Sequence, residues 1–135
     1  MTVFLDTSAL YAVLDRDDSN HLEARATWER MLRERFTLVT TNYVLVEASA
    51  LVQHRLGLSA LCTFHEDIVP LLAVEWVTET RHHSGVSSVL TAARKKLSLV
   101  DCLSFQVMRE LAARDVFCFD KHFAEQGFDC LTRED

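Results

Sequence analysis

The sequence predicts an α/β domain with a central parallel sheet covered by helices on both faces, a three-layered arrangement. Three observations carry the prediction. Short β-prone runs recur along the chain, at residues 2–5, 36–40, 72–77 and 116–119, and helical stretches separate them. Strands spaced in this way join through right-handed crossovers and lie parallel. The first and last of these runs, Thr2-Val3-Phe4-Leu5 and Val116-Phe117-Cys118-Phe119, carry no charge, as strands buried on both faces do. Each ends on an acid, Asp6 and Asp120, at the carboxyl edge where such sheets bind ligands. A length of 135 residues suits one domain, 1–135, able to bury roughly two thirds of its unfolded surface.

With 49% hydrophobic and 25% charged residues, the composition is that of an ordinary globule, and no apolar run approaches the ~18 residues of a membrane span. Asp6 interrupts the first apolar stretch and no basic residue precedes it, so a secretory signal is not expected and a cytoplasmic location is. The net charge of -6 argues against a protein that coats nucleic acid. It leaves room for a nuclease whose bound metal cancels part of the local negative charge. Cys62, Cys102, Cys118 and Cys130 are far apart and form no C-x-x-C pair. They read as small buried hydrophobes rather than disulfide partners or zinc ligands.

Three glycines and one proline leave no linker, repeat or low-complexity tract, so the elements are read from their caps. After the first strand, Thr7-Ser8 turns into the apolar run 9–14. The polar stretch 15–20 is a loop, and Asp18, Ser19 or Asn20 is expected to cap a helix over 21–35. Leu22, Ala26, Met31 and Leu32 supply its apolar face, with Trp28 partly covered. Residues 36–40 follow as the second strand. Thr41 or Asn42 caps a helix to residue 55 closed by Gly57, and Ser59 starts a shorter one ending near Pro70. Residues 72–77 form the third strand, and 80–96 a polar-faced helix weakened by Gly85. Ser98 caps a helix over 99–114. Beyond the fourth strand, a short helix near 121–125 leads through Gly127 to a last extended piece, 128–131.

Four acids stand out. Asp6 and Asp120 each precede a helix, so each has a capping role available, worth ~1 kcal/mol. Asp101 follows Ser98 by three residues, close to a capping box. It also heads an apolar stripe with Phe105, Met108 and Ala112. Glu47 has Val44, Ala50 and Leu51 as its helical neighbours, and a charge surrounded in this way is costly unless paired or bound to a cation. Three caps plus one misplaced Glu is not what capping alone selects. Carboxylates that converge repel one another and raise their own pKa values, and a divalent metal removes the conflict. An all-oxygen ligand set favours Mg²⁺ or Mn²⁺, one or two of which activate water and stabilise charge on a phosphoryl oxygen.

At these residues the sequence resembles the PIN-domain ribonucleases, and within them the VapC-type toxins of bacterial toxin–antitoxin pairs. Phe4-Leu5-Asp6-Thr7-Ser8-Ala9-Leu10 resembles the family's first motif, Thr41-Asn42-Tyr43-Val44-Leu45-Val46-Glu47 its second, Ser98-Leu99-Val100-Asp101 its third and Phe119-Asp120-Lys121-His122-Phe123 its fourth. Together they cover nearly the whole chain. The resemblance implies a PIN-like fold and metal-dependent endonucleolytic cleavage of RNA, with Asp6, Glu47, Asp101 and Asp120 around Mg²⁺ or Mn²⁺ and Ser8 holding the first acid. It also implies a homodimer silenced by a small antitoxin protein. Many members carry Thr or Ser two residues before the fourth acid, where this chain has Cys118.

An RNA substrate needs cations, and the candidates are Arg81-His82-His83, Arg94-Lys95-Lys96 and Lys121-His122. Lys121 and His122 are preferred because they adjoin Asp120. A haloacid-dehalogenase-type phosphatase needs a second Asp two residues after the first, where this chain has Ser8. A receiver module needs paired acids after its first strand, and these too are missing. The remaining rival is a catalytically silent PIN-like module that binds RNA or a partner; intact acids at all four motifs argue against it.

Overall fold

The central strand is β1 (Thr2–Leu5), in which Val3, Phe4 and Leu5 have no exposed surface. The computed structural model describes residues 1–132. Strands β2 (Thr37–Thr41), β3 (Ala73–Glu75), β4 (Asp115–Phe117) and β5 (Asp129–Cys130) complete a five-stranded sheet in the order β3-β2-β1-β4-β5. Every pairing is parallel, and Phe4 sits between Val39 of β2 and Val116 of β4. From β1 the chain steps outward to β2 and β3, then returns to lay β4 on the free side of β1. That reversal opens a crevice at the carboxyl ends of β1 and β4, where open α/β sheets bind their ligands.

Helices α1 (Thr7–Leu14), α2 (His21–Arg33), α3 (Asn42–Leu56) and α4 (Leu58–Thr63) follow one another on the outward walk, and α1 packs on both α2 and α3. On the return, α5 (Glu79–Ala92) packs on α6 (Leu99–Glu110), and α7 (His122–Glu125) is a single turn between β4 and β5. Right-handed crossovers in opposite directions put the two groups on opposite faces. The expected α/β class with a parallel sheet is the one observed. No helix among the described residues is long and apolar enough to cross a membrane.

Three helices stop short of their expected ends for one shared reason. Arg35, Ala93 and Ala112 adopt φ of 56°, 51° and 54° just beyond α2, α5 and α6. A left-handed residue ends a helix, and the role usually falls to Gly. This chain has few glycines and uses other residues there, at a cost of about 1 kcal/mol each. Only Gly57, at φ 90°, closes its helix as expected. The piece expected to run from Ser59 to Pro70 is α4 followed by a π turn (Phe64–Ile68) and a 3₁₀ turn (Val69–Leu71).

Side-chain placement corrects other expectations. In α2 only Ala24 and Met31 are buried, while Leu22 is 81% exposed and Ala26 and Leu32 also face solvent. The helix packs chiefly on α1, so its covered stripe is narrow. Asn20 makes no side-chain cap; instead Asp18 accepts from the Asn20 N–H at 2.8 Å. Cys102 and Cys118 are buried and Cys130 partly so, but Cys62 is exposed.

Gly85 is a contact rather than a weak point. A Cβ there would lie 2.6 Å from Leu103 Cδ2 and 2.7 Å from its Cγ. Gly85→Ala is therefore expected to destabilise by about 1–3 kcal/mol despite alanine's better helix propensity. Urea denaturation checks this; a gain in stability would show that α5 and α6 can separate freely.

Candidate metal centre

Three of the four predicted acids stand at the crevice, each delivered by a different element; Asp101 and Asp120 belong to the close donor group, and Asp6, outside it, is near enough to feel both of their charges. Asp6 is the first residue beyond β1, and its N–H extends the β1–β4 ladder to Phe117 O at 3.1 Å. Its carboxylate Oδ2 caps α1, accepting from the Ser8 N–H at 3.2 Å and from Ser8 Oγ at 2.7 Å. Asp101 stands in the first turn of α6 in a full capping box: Ser98 Oγ accepts from the Asp101 N–H, and Asp101 Oδ2 accepts from the Ser98 N–H, both at 3.1 Å. Asp120 follows β4, and its Oδ1 accepts from the His122 N–H at 2.9 Å. Capping and convergence are thus not alternatives. Each carboxylate uses one oxygen to fix its own turn, and among the described residues the other oxygen has no hydrogen-bond partner.

Ser8 ties the crevice together. Its hydroxyl donates to Asp6 and accepts from the Phe119 N–H at 3.0 Å, linking the α1 turn to the segment that carries Asp120. Thr40 Oγ1, fully buried, donates to Leu5 O at 2.9 Å and steadies the end of β1.

The electrostatics are those of a site short of positive charge. Asp6 is 4% exposed, and burial drives its pKa up to about 7, with the charges of Asp101 and Asp120 adding to the rise against the Ser8 hydrogen bonds. Burial also raises Asp101, helped by Asp120 and opposed by the Ser98 hydrogen bonds and His122. Among the described residues no Lys or Arg pairs with any of the three acids. Donor atoms of Asp101, Asp120 and His122 all lie within 4.8 Å of one another, a spacing that a metal ion could bridge. Buried, mutually repelling carboxylates with free oxygens fit a hard divalent cation.

Glu47 is placed differently from its expected surroundings. The buried stripe of α3 is Val44, Ala48 and Val52, and Glu47 lies on the exposed side with Val46. It lines a hollow of about 240 Å³ with Tyr43, Val46 and Val100, at the rim next to Asp101 and outside the close group. Of the two residues expected to contact RNA, His122 is 8% exposed and faces the acids, whereas Lys121 is exposed. Arg81 is committed to Glu75 and Glu110, and Arg94 to Glu125. Lys95 and Lys96 are exposed.

Sequence reasoning did not find His122 as a member of the donor group; its spacing of two from Asp120 was the available signal. The thiols of Cys118 and Cys130 also approach to 3.1 Å, a contact their separation along the chain hides.

Comparison with known proteins adds to this geometry. The PIN domain family model matches residues 3–129. Over 127 residues, 93% of this chain and 95% of the relative, the sequence is 28% identical to the 23S rRNA-specific endonuclease VapC20 of Mycobacterium tuberculosis, recorded for two strains. The crystal structure of M. tuberculosis VapC20, described as a sarcin–ricin loop cleaving toxin, superposes with a TM-score of 0.81 at 26% identity, covering 93% of this chain and 95% of that one.

Proposed function

The chain belongs to the PIN-domain family, and on that premise we propose that it is a metal-dependent endoribonuclease, the toxin of a bacterial toxin–antitoxin pair, formed by one PIN domain over 1–135. The observation that carries the reading is the placing of Asp6, Asp101 and Asp120 at one crevice with free oxygens and, among the described residues, no Lys or Arg partner. Likeness over nearly the full length to an rRNA-cleaving toxin supports RNA as substrate.

When bound, Mg²⁺ or Mn²⁺ supplies a Lewis acid for a phosphoryl oxygen and makes water a usable nucleophile near neutral pH. The protein's own part is positioning. The caps hold the three carboxylates still, and Ser8 keeps Asp6 turned toward Asp120. Glu47 joins the set from the rim through a water or a changed rotamer. Lys121, exposed beside Asp120, offers a contact to an RNA phosphate, and Lys95 and Lys96 extend the basic surface. Val46 and Trp76, 68% and 65% exposed, flank an apolar hollow with Leu45 and Val69 that suits a protein contact, a second copy or the antitoxin. Such a toxin acts in the cytoplasm.

The test is cleavage of RNA by the purified protein with Mg²⁺ or Mn²⁺, stopped by EDTA and lost in Asp101→Asn. That variant should melt within a few degrees of wild type, since Asn can still accept the Ser98 N–H. Equal cleavage in EDTA, or by the variant, would overturn the proposal; sequencing the RNA ends identifies the target.

A further inference from the structure

We propose that His122 Nε2 is a metal ligand beside Asp101 and Asp120, making this a mixed nitrogen–oxygen site that holds Mn²⁺ in preference to Mg²⁺. The inference rests on the metal-nuclease reading and adds a residue and a metal preference to it.

Geometry is the first support. One donor atom from each of the three side chains lies within 4.8 Å of the others. Around an octahedral ion with bonds of about 2.1 Å, donors sit about 3 Å apart when adjacent and about 4 Å when opposite. A small inward movement of the side chains closes that gap. Nε2 stands 3.8 Å from Asp120 Oδ1, too far for a hydrogen bond and suitable for two donors that share an ion.

The ring's surroundings are the second. His122 is more than nine-tenths buried, and among the described residues its Nε2 has no hydrogen-bond partner. Its Nδ1 faces Glu125 Oε2 at 3.4 Å, and Glu125 is in turn held by Arg94 Nη2 at 3.2 Å. A neutral imidazole that donates from Nδ1 to a carboxylate keeps its lone pair on Nε2. Metal-binding histidines are oriented by this carboxylate–imidazole pairing. A purely structural His122, bridging Asp120 to Glu125, would be expected to bond at both ends, and the Nε2 end at 3.8 Å makes none.

The backbone is also fixed. His122 N–H donates to Asp120 Oδ1, and the next residue, Phe123, is fully buried against Phe4, Phe105 and Phe128. The imidazole is therefore delivered to the acids by a packed turn, not by a mobile surface segment. Mg²⁺ selects oxygen donors and keeps its waters, whereas an imidazole moves a site away from Mg²⁺ toward the divalent transition metals, among which Mn²⁺ also suits the carboxylates.

Pulsed EPR of the Mn²⁺-loaded protein without RNA tests this. Nitrogen modulation from a coordinated imidazole is expected in the wild type and absent in His122→Asn. Mn²⁺ affinity should fall about 10–100-fold in the variant, while Mg²⁺ affinity changes far less. Glu125→Gln should keep the nitrogen signal and bind Mn²⁺ more weakly. Mn²⁺ bound without nitrogen coupling, or coupling that persists in His122→Asn, overturns the inference alone. Failure of Mn²⁺ to bind the wild type overturns both it and the metal-nuclease reading. Should His122→Asn not fold, the wild-type spectrum decides by itself.

Discussion

Asp6→Asn is expected to lower RNA cleavage by about 10³-fold or more and, in the same protein, to raise stability in the absence of metal at alkaline pH. Both effects come from one buried carboxylate. Burial lifts the Asp6 pKa to about 7, so from about pH 4 to pH 7 the folded protein keeps a proton that the unfolded chain has released. Stability of the metal-free protein therefore falls as pH rises through that window. The contribution from this residue is at most about 4 kcal/mol, and the loss is complete above pH 7. Asn carries no such charge and should flatten that part of the profile. Denaturation in EDTA at pH 5 and pH 8 measures it. A wild type no less stable than the variant at pH 8 would mean that Asp6 is not strained, and cleavage by Asp6→Asn at the wild-type rate would remove it from the site. Saturating Mn²⁺ should reverse the order, since it binds the folded wild type and not the variant.

Phe123→Ala should cost about 3–5 kcal/mol. Phe123 has no exposed surface; its ring meets Phe105 edge-on at 5.0 Å between centroids and lies 6.4 Å from Phe4 of β1 and 6.3 Å from Phe128. It pins the one-turn α7 to the sheet, and that turn carries His122 directly behind Asp120. Urea unfolding should show a lower midpoint with an unchanged slope. Cleavage measured well below the variant's melting point should also drop, because the fourth acid has lost its anchor. A cost under 1 kcal/mol would show that the aromatic cluster repacks around the gap.

Much of the architecture could be read from caps. Thr41 and Ser98 start their helices by accepting N–H groups at 3.2 and 3.1 Å, Gly57 ends one, and Asp6 directly follows β1 as expected, while β4 ends at Phe117, two residues earlier than expected, and leaves Asp120 three residues beyond it. Other features depend on tertiary packing that local pattern does not encode. Glu47 has apolar neighbours along its helix, yet apolar residues are scattered over every side of α3, Val46 and Ala50 on the exposed one included, so periodicity could not tell its buried side from its exposed one. Gly85 looks like a weak helix residue until Leu103 is laid across it. His122 looks like a surface partner of Lys121 until a single turn of helix rotates it inward. The adjacency of β1 and β4, which makes neighbours of Asp6 and Asp120, requires the order of the sheet and is invisible in one dimension.

The hydrogen bond from Phe119 N–H to Ser8 Oγ spans 111 positions along the chain. Pairings of such high contact order form late, because the loop they close carries an entropic cost before any contact repays it. During translation, a nascent chain that has made β1, β2 and β3 holds Asp6 at the end of a strand whose other neighbour has not yet been synthesised. The centre comes into being only when β4 docks, so fragments cut short before that strand lack it altogether.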